Sequence, residues 1–279
     1  MRIIRRFPAL TFIAASFLIS YGVGIAAHLL LQRLQKTLGS NLGNINDIVM
    51  RFGPSLAGLL MACLISGKQG AKGLVARLVS GRLSAGVLIA VVCVPPALTL
   101  ATFWLRGYGG ELSSVILAAA PGVFVTQLGL ASITAGLGEE LGWRGFMLPC
   151  LAERHSPLAA SFLVAIGWLV WHLPAFLLAD KGASDPFLPF MIVVVPLSIV
   201  LTWSYYASKE GLLAPVLLHG SLNASFYSME QLFPQVTQAA GFQPGFDWVL
   251  TALWCVLGLL VVVRFQQQLG RNERELLRV

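Results

Sequence analysis

The chain has 279 residues, of which 57% are hydrophobic and 11% charged, with a net charge of +7 and a mean hydropathy of +0.78. A soluble domain carries about 25% charged residues, so this composition excludes an ordinary soluble globular protein and indicates a polytopic membrane protein. Most basic residues flank or connect apolar segments, which argues against a nucleic-acid partner and assigns the charge to membrane sidedness and anionic lipid headgroups.

A spanning helix takes ~20 apolar residues. Eight such segments are predicted, at 7–31, 48–66, 83–105, 113–138, 158–179, 187–207, 211–229 and 247–265. Their apolar runs are continuous rather than alternating, so they are helices and not barrel strands. Arg2, Arg5 and Arg6 precede the first segment. That segment is too long for a signal peptide and Gly24-Ile25-Ala26 is a weak cleavage site, so it reads as an uncleaved first helix. The connection 67–82 holds four glycines with Lys68, Lys72, Arg77 and Arg82, and is expected to lie along the cytoplasmic surface. Arg154 and Lys209 sit in later connections, and Arg264, Arg271, Arg274 and Arg278 form the tail; Arg33, Lys36, Arg51, Arg106 and Lys181 fall on the opposite side. The stretch 230–246, with Pro234 and Pro244, reads as an external loop. The positive-inside rule then puts both termini in the cytoplasm, which requires an even number of spans. Cys63, Cys93, Cys150 and Cys255 show no C-x-x-C spacing and read as packing residues. Without repeats or soluble insertions, residues 1–279 form a single integral-membrane domain. Polar residues gather in spans four, five and seven, where the working site is expected.

The densest of them are Glu139-Glu140-Leu141-Gly142-Trp143-Arg144-Gly145. Ionisable groups inside a membrane cost roughly 2.5–3.5 kcal/mol each on insertion scales and are retained where they pair, line a wet cavity or do chemistry. Glu140 and Arg144 are four apart and share a helix face. Glu139 is turned by about 100° and faces another neighbour. Glu140, paired with Arg144, is thereby structural, and Glu139 is the candidate general base. Gly136, Gly138, Gly142 and Gly145 allow neighbouring helices to approach closely.

Span five carries Trp168-Leu169-Val170-Trp171-His172-Leu173-Pro174, with Trp168 one turn before His172 and a kink expected at Pro174. Span seven carries His219-Gly220-Ser221-Leu222-Asn223, in which His219 and Asn223 share a face. Singly, each element has a plainer reading: a buried ion pair, a core histidine bonded to a carbonyl, polar contacts between helices. Together, two carboxylates, two histidines and an asparagine on three helices suit water activation and amide hydrolysis. A carboxylate takes the proton, a histidine orients the water or holds a metal, and the remaining donors meet an oxyanion. No H-E-x-x-H and no G-x-S-x-G occurs.

These motifs resemble those of the CPBP family of intramembrane proteases, which includes the Ras-converting CAAX endopeptidase and the bacterial Abi and bacteriocin-immunity proteins. Members carry E-E-x-x-x-R, an aromatic-x-x-x-H and H-x-x-x-N or H-x-x-x-D in that order. Here these are Glu139-Glu140 with Arg144, Trp168 with His172, and His219 with Asn223. Trp168 stands where phenylalanine is more usual. The resemblance implies an all-α fold with a catalytic core at about 113–230, and an endopeptidase acting on a membrane-associated protein or peptide in or near the cytoplasmic half of the bilayer. It further implies Glu139 as general base, His172 holding water or metal, His219 and Asn223 at the oxyanion, and Glu140 and Arg144 as bracing. Glu139, His172 and His219 could together ligate zinc; a metal-free glutamate mechanism fits the same residues.

Two alternatives stay open: a catalytically silent peptide-binding or immunity protein of the same fold, and, less favoured, a proton-coupled transporter. The chain shows no paired broken helices of the kind transporters use. One tension follows from the predicted boundaries. Glu139 would sit at the end of span four, but His172 lies about 14 residues into span five, ~21 Å deep, and His219 about 8 residues into span seven, ~12 Å deep. A common site therefore requires tilted or unequal helices, or a cavity reaching inward.

Overall fold

The computed structural model describes residues 2–26, 48–115, 120–178, 187–239 and 247–270, with Leu29, Leu30, Arg33 and Gly245 between them. Lys36, Lys181, Arg271, Arg274 and Arg278, and parts of the predicted first span and of the 230–246 loop, lie outside the described residues. The fold is all-α, with no strand among the described residues. Its long helices are α1 (Pro8–Ala26), α2 (Ile48–Ser80), α3 (Ala85–Leu105), α4 (Ala120–Ala152), α5 (Pro157–Leu177), α6 (Phe187–Ala207), α7 (Leu213–Leu232) and α8 (Trp248–Phe265). All except α7 are long and apolar enough to cross a membrane. The protein is a multi-pass membrane protein.

Helix α7, predicted as the seventh span, is less apolar than the other seven for a physical reason. It holds His219, Asn223, Glu230 and several serines, yet twelve of its residues are buried. Helices α2, α3, α4 and α6 all pack against it. A helix surrounded by protein satisfies its polar groups with neighbours rather than lipid, so its sequence need not be lipid-like.

Three predicted boundaries are corrected. Helix α4 does not end at 138; it continues to Ala152. The charges that interrupt its apolar run are buried by partners instead of marking a membrane surface. Within α4, Ser132–Leu137 and Trp143–Met147 are π-helical and Gly138–Gly142 between them is α-helical. Secondly, 67–82, predicted as a polar connection between spans, is largely helical. Helix α2 breaks direction at Gly67, whose φ of 65° only glycine adopts readily, and then continues as helix to Ser80. Leu74 of this arm is buried against Gly145, and Arg77 donates to the Gly145 carbonyl and to the Tyr205 hydroxyl, each at 3.2 Å. Thirdly, part of 230–246 is helical: α7 runs to Leu232 and Pro234–Ala239 forms a further short helix. Helix α5 remains helical through Pro174.

The glycines of α4 act as the sequence suggests. A Cβ on Gly136 would collide with the Val216 carbonyl of α7, and one on Gly142 with the Pro54 carbonyl of α2. One on Gly138 would stand 3.0 Å from the Arg51 carbonyl. Helices α2 and α7 therefore clamp α4 from two sides at the level of the carboxylates.

Candidate active site

The carboxylates sit well inside α4. Glu139 is about 13 residues from the end of α4, and His172 about 15 residues from the start of α5, so both lie roughly 20–22 Å from the α4–α5 turn. Helix α7 starts deeper than its neighbours. Leu212 is fully buried, its amide donates to the Arg77 carbonyl at 2.8 Å, and its side chain lies against Gly145. From that level, about seven residues along α7 reach His219 and about six along α4 reach Glu139. The tension in the predicted boundaries is thus removed by a longer α4 and a sunken start to α7.

The two glutamates diverge as their spacing requires. Glu140 and Arg144 are both fully buried, with Arg144 Nη1 3.1 Å from Glu140 Oε2 and donating to Oε1 at 3.2 Å. Glu140 Oε1 also meets His219 Nδ1 at 2.7 Å. Glu139, 3% exposed, turns elsewhere and accepts a hydrogen bond from Trp168 Nε1 through Oε2 at 2.8 Å. Neither the Glu140–His219 nor the Trp168–Glu139 contact was readable from sequence, because each joins helices whose relative rotation no local spacing sets.

The histidines present defined ring edges. His172 Nδ1 lies 2.9 Å from the Trp168 carbonyl, which can only accept, so Nδ1 carries the proton and neutral His172 keeps its lone pair on Nε2. Its ring packs edge-on against Trp171 and beside Phe190. His219 has its Nδ1 on a carboxylate and its ring edge-on to Trp168. Asn223 Nδ2 donates one hydrogen to the His219 carbonyl at 3.1 Å and keeps its second.

Glu139, Trp168, His172, His219 and Asn223 line one cavity of about 540 Å³, whereas Glu140 and Arg144 do not. Its walls are otherwise largely apolar and aromatic. Tyr21, Arg51, Tyr227 and Glu230 add polar groups that sequence reading had not placed there. Arg51 donates to the Tyr227 hydroxyl at 3.0 Å, and the Tyr21 hydroxyl to the Trp171 carbonyl at 2.6 Å. The only sequence signal for them was polarity near helix ends, which is too common to single them out.

Among the described residues, no three His, Cys, Asp or Glu side chains are placed to hold a metal ion. Glu139, His172 and His219, the three side chains the sequence offers as zinc ligands, line the same cavity.

Residues 121–225 match the family model described as type II CAAX prenyl endopeptidase, Rce1-like. Over 107 residues the chain is 30% identical to the CAAX prenyl protease 2 of Methanococcus maripaludis, a stretch that is 36% of this chain and 39% of that protein. The match thus spans less than half of that relative's length. Every motif residue, from Glu139 to Asn223, falls inside the stretch that is similar to that family model.

Proposed function

We propose that the protein is an intramembrane endopeptidase that hydrolyses a peptide bond of a membrane-associated protein or peptide with water activated by Glu139. The observation that carries this reading is the division of the ionisable groups: Glu139, His172, His219 and Asn223, from three helices, line one cavity, while Glu140 and Arg144 are paired behind it. The "CAAX prenyl" name of the archaeal relative makes a prenylated C-terminal peptide the first substrate to try.

The chemistry follows from which atoms remain available. Glu139 Oε2 is held by the indole, which leaves Oε1 to take a proton. His172 offers the Nε2 lone pair. A water that donates one hydrogen to Glu139 and the other to His172 has its own lone pair directed at a substrate carbonyl carbon. Attack moves a proton to Glu139 and places negative charge on the carbonyl oxygen. The second N–H of Asn223 can meet that oxyanion, as can Nε2–H of His219 in its imidazolium form, with Nδ1–H still on Glu140. A single such donor is worth about 10²–10³ in rate, ~2.7–4 kcal/mol. Glu139 then returns its proton to the leaving amine, which completes the cycle. No step is routed through zinc.

Purified protein in detergent should cleave a prenylated C-terminal peptide. Glu139→Gln, which keeps the shape and removes the base, and His172→Ala should each lower kcat at least a hundredfold. Wild-type cleavage in both variants would refute the assignment, and loss of activity on treatment with a chelator would restore the zinc alternative.

A further inference from the structure

The bracing pair does not end at Arg144. Arg144 Nη2 donates to Ser198 Oγ of α6 at 3.1 Å. Ser198 Oγ in turn donates to the Ser161 carbonyl of α5 at 2.8 Å. A hydroxyl has one hydrogen, and with that hydrogen committed to Ser161, Ser198 can only accept from Arg144. The polarity is therefore fixed along the whole path. Arg144, Ser161 and Ser198 are all fully buried, so water offers no substitute partner.

We propose that Ser198 is a positioning residue for the catalytic centre: it holds the Arg144 guanidinium, which holds Glu140, which orients His219 from behind the cavity. Nothing in the family motifs reaches α6, and this inference rests on the proposed peptidase reading only for its kinetic arm. The geometric reasons are independent of it. Arg144 Nε has no partner and the guanidinium plane lies over the Trp168 ring, its Cζ 5.3 Å from the ring centroid. The guanidinium thus has two directional anchors, Glu140 and Ser198. Removing the second leaves it free to turn about the Glu140 contact, and Glu140 Oε1 is the same atom that meets His219 Nδ1. A change at α6 therefore reaches the His219 ring through three hydrogen bonds without touching the cavity wall.

The test compares Ser198→Ala with Thr202→Val in the full-length protein. Thr202 is one turn further along α6, equally buried, and its hydroxyl has no hydrogen-bond partner. Loss of an outer-shell partner of a metal ligand typically costs about 10–100-fold, and the low end of that range sets the scale expected for an analogous partner here. Ser198→Ala should lower kcat roughly tenfold with KM unchanged, and Thr202→Val should leave both unchanged. A wild-type kcat for Ser198→Ala, or an equal loss in both variants, overturns the proposal as a general packing effect. A second readout does not depend on activity. In ¹⁵N-histidine-labelled protein, with the His219 ring signals assigned by His219→Gln, Ser198→Ala should shift those signals and Thr202→Val should not. Unshifted His219 signals in Ser198→Ala refute the inference even where the protein cleaves no substrate tested, whereas an inactive wild type with shifted signals refutes only the peptidase reading.

Discussion

The indole N–H of Trp168 shows how much one atom can settle. The sequence motif asks only for an aromatic residue one turn before His172, and Trp168 stands where phenylalanine is more usual. In the structure its Nε1 donates to Glu139 at 2.8 Å, its carbonyl fixes the tautomer of His172, and its ring lies beside His219 and under Arg144. Phenylalanine could supply the ring and the carbonyl but not the donor. A hydrogen bond to a charged group is worth about 1.5–3 kcal/mol, so Trp168→Phe should lower kcat roughly tenfold with little effect on KM, measured by peptide cleavage. The pairing of Glu140 with Arg144 was legible because i,i+4 spacing fixes it locally. The partners of Glu139 and His219 were not, because they come from other helices.

At the scale of elements, α4 is the residue-bearing helix and also the one whose boundaries were misplaced. Hydropathy ended it at the glutamates. Its π-helical turns and glycines show instead a helix built to pass between α2 and α7, and π segments frequently accompany functional sites. The glycines give a direct check. Gly142→Ala would push a methyl into the Pro54 carbonyl and the Phe12 ring, whereas Gly129→Ala on the same helix meets nothing within 4 Å. Both substitutions gain the same helix propensity. Gly142→Ala should therefore destabilise by about 1–3 kcal/mol through overpacking, read as a lowered thermal midpoint in detergent, and Gly129→Ala should be neutral or slightly stabilising.

On the scale of the whole molecule, the two ends of the bundle are distinguishable. At one end the Arg82 amide donates to the Ser208 carbonyl at 2.9 Å, which joins the α2–α3 and α6–α7 connections. At the other, Arg106 pairs with Asp247 at 2.6 Å, and Asp247 caps the start of α8 by accepting from the Val249 amide. The positive-inside rule assigns the first end to the cytoplasm. In a variant lacking the four native cysteines, Gly110→Cys should react with a membrane-impermeant thiol reagent in intact cells, and Arg154→Cys only after permeabilisation. The reverse pattern would invert the proposed orientation.

By itself the sequence determined that the chain is a helical membrane protein, that Glu140 and Arg144 pair, and that the glycines of α4 face neighbours. Each of these follows from composition or from spacing within a single helix. Only the tertiary structure decided that α4 passes through its own charge cluster, that α7 is sheathed by protein, and that Glu140 and Trp168 reach across helices to His219 and Glu139. These depend on the rotation and depth of one helix against another. Packing among several helices sets those quantities, and no stretch of one helix encodes them alone.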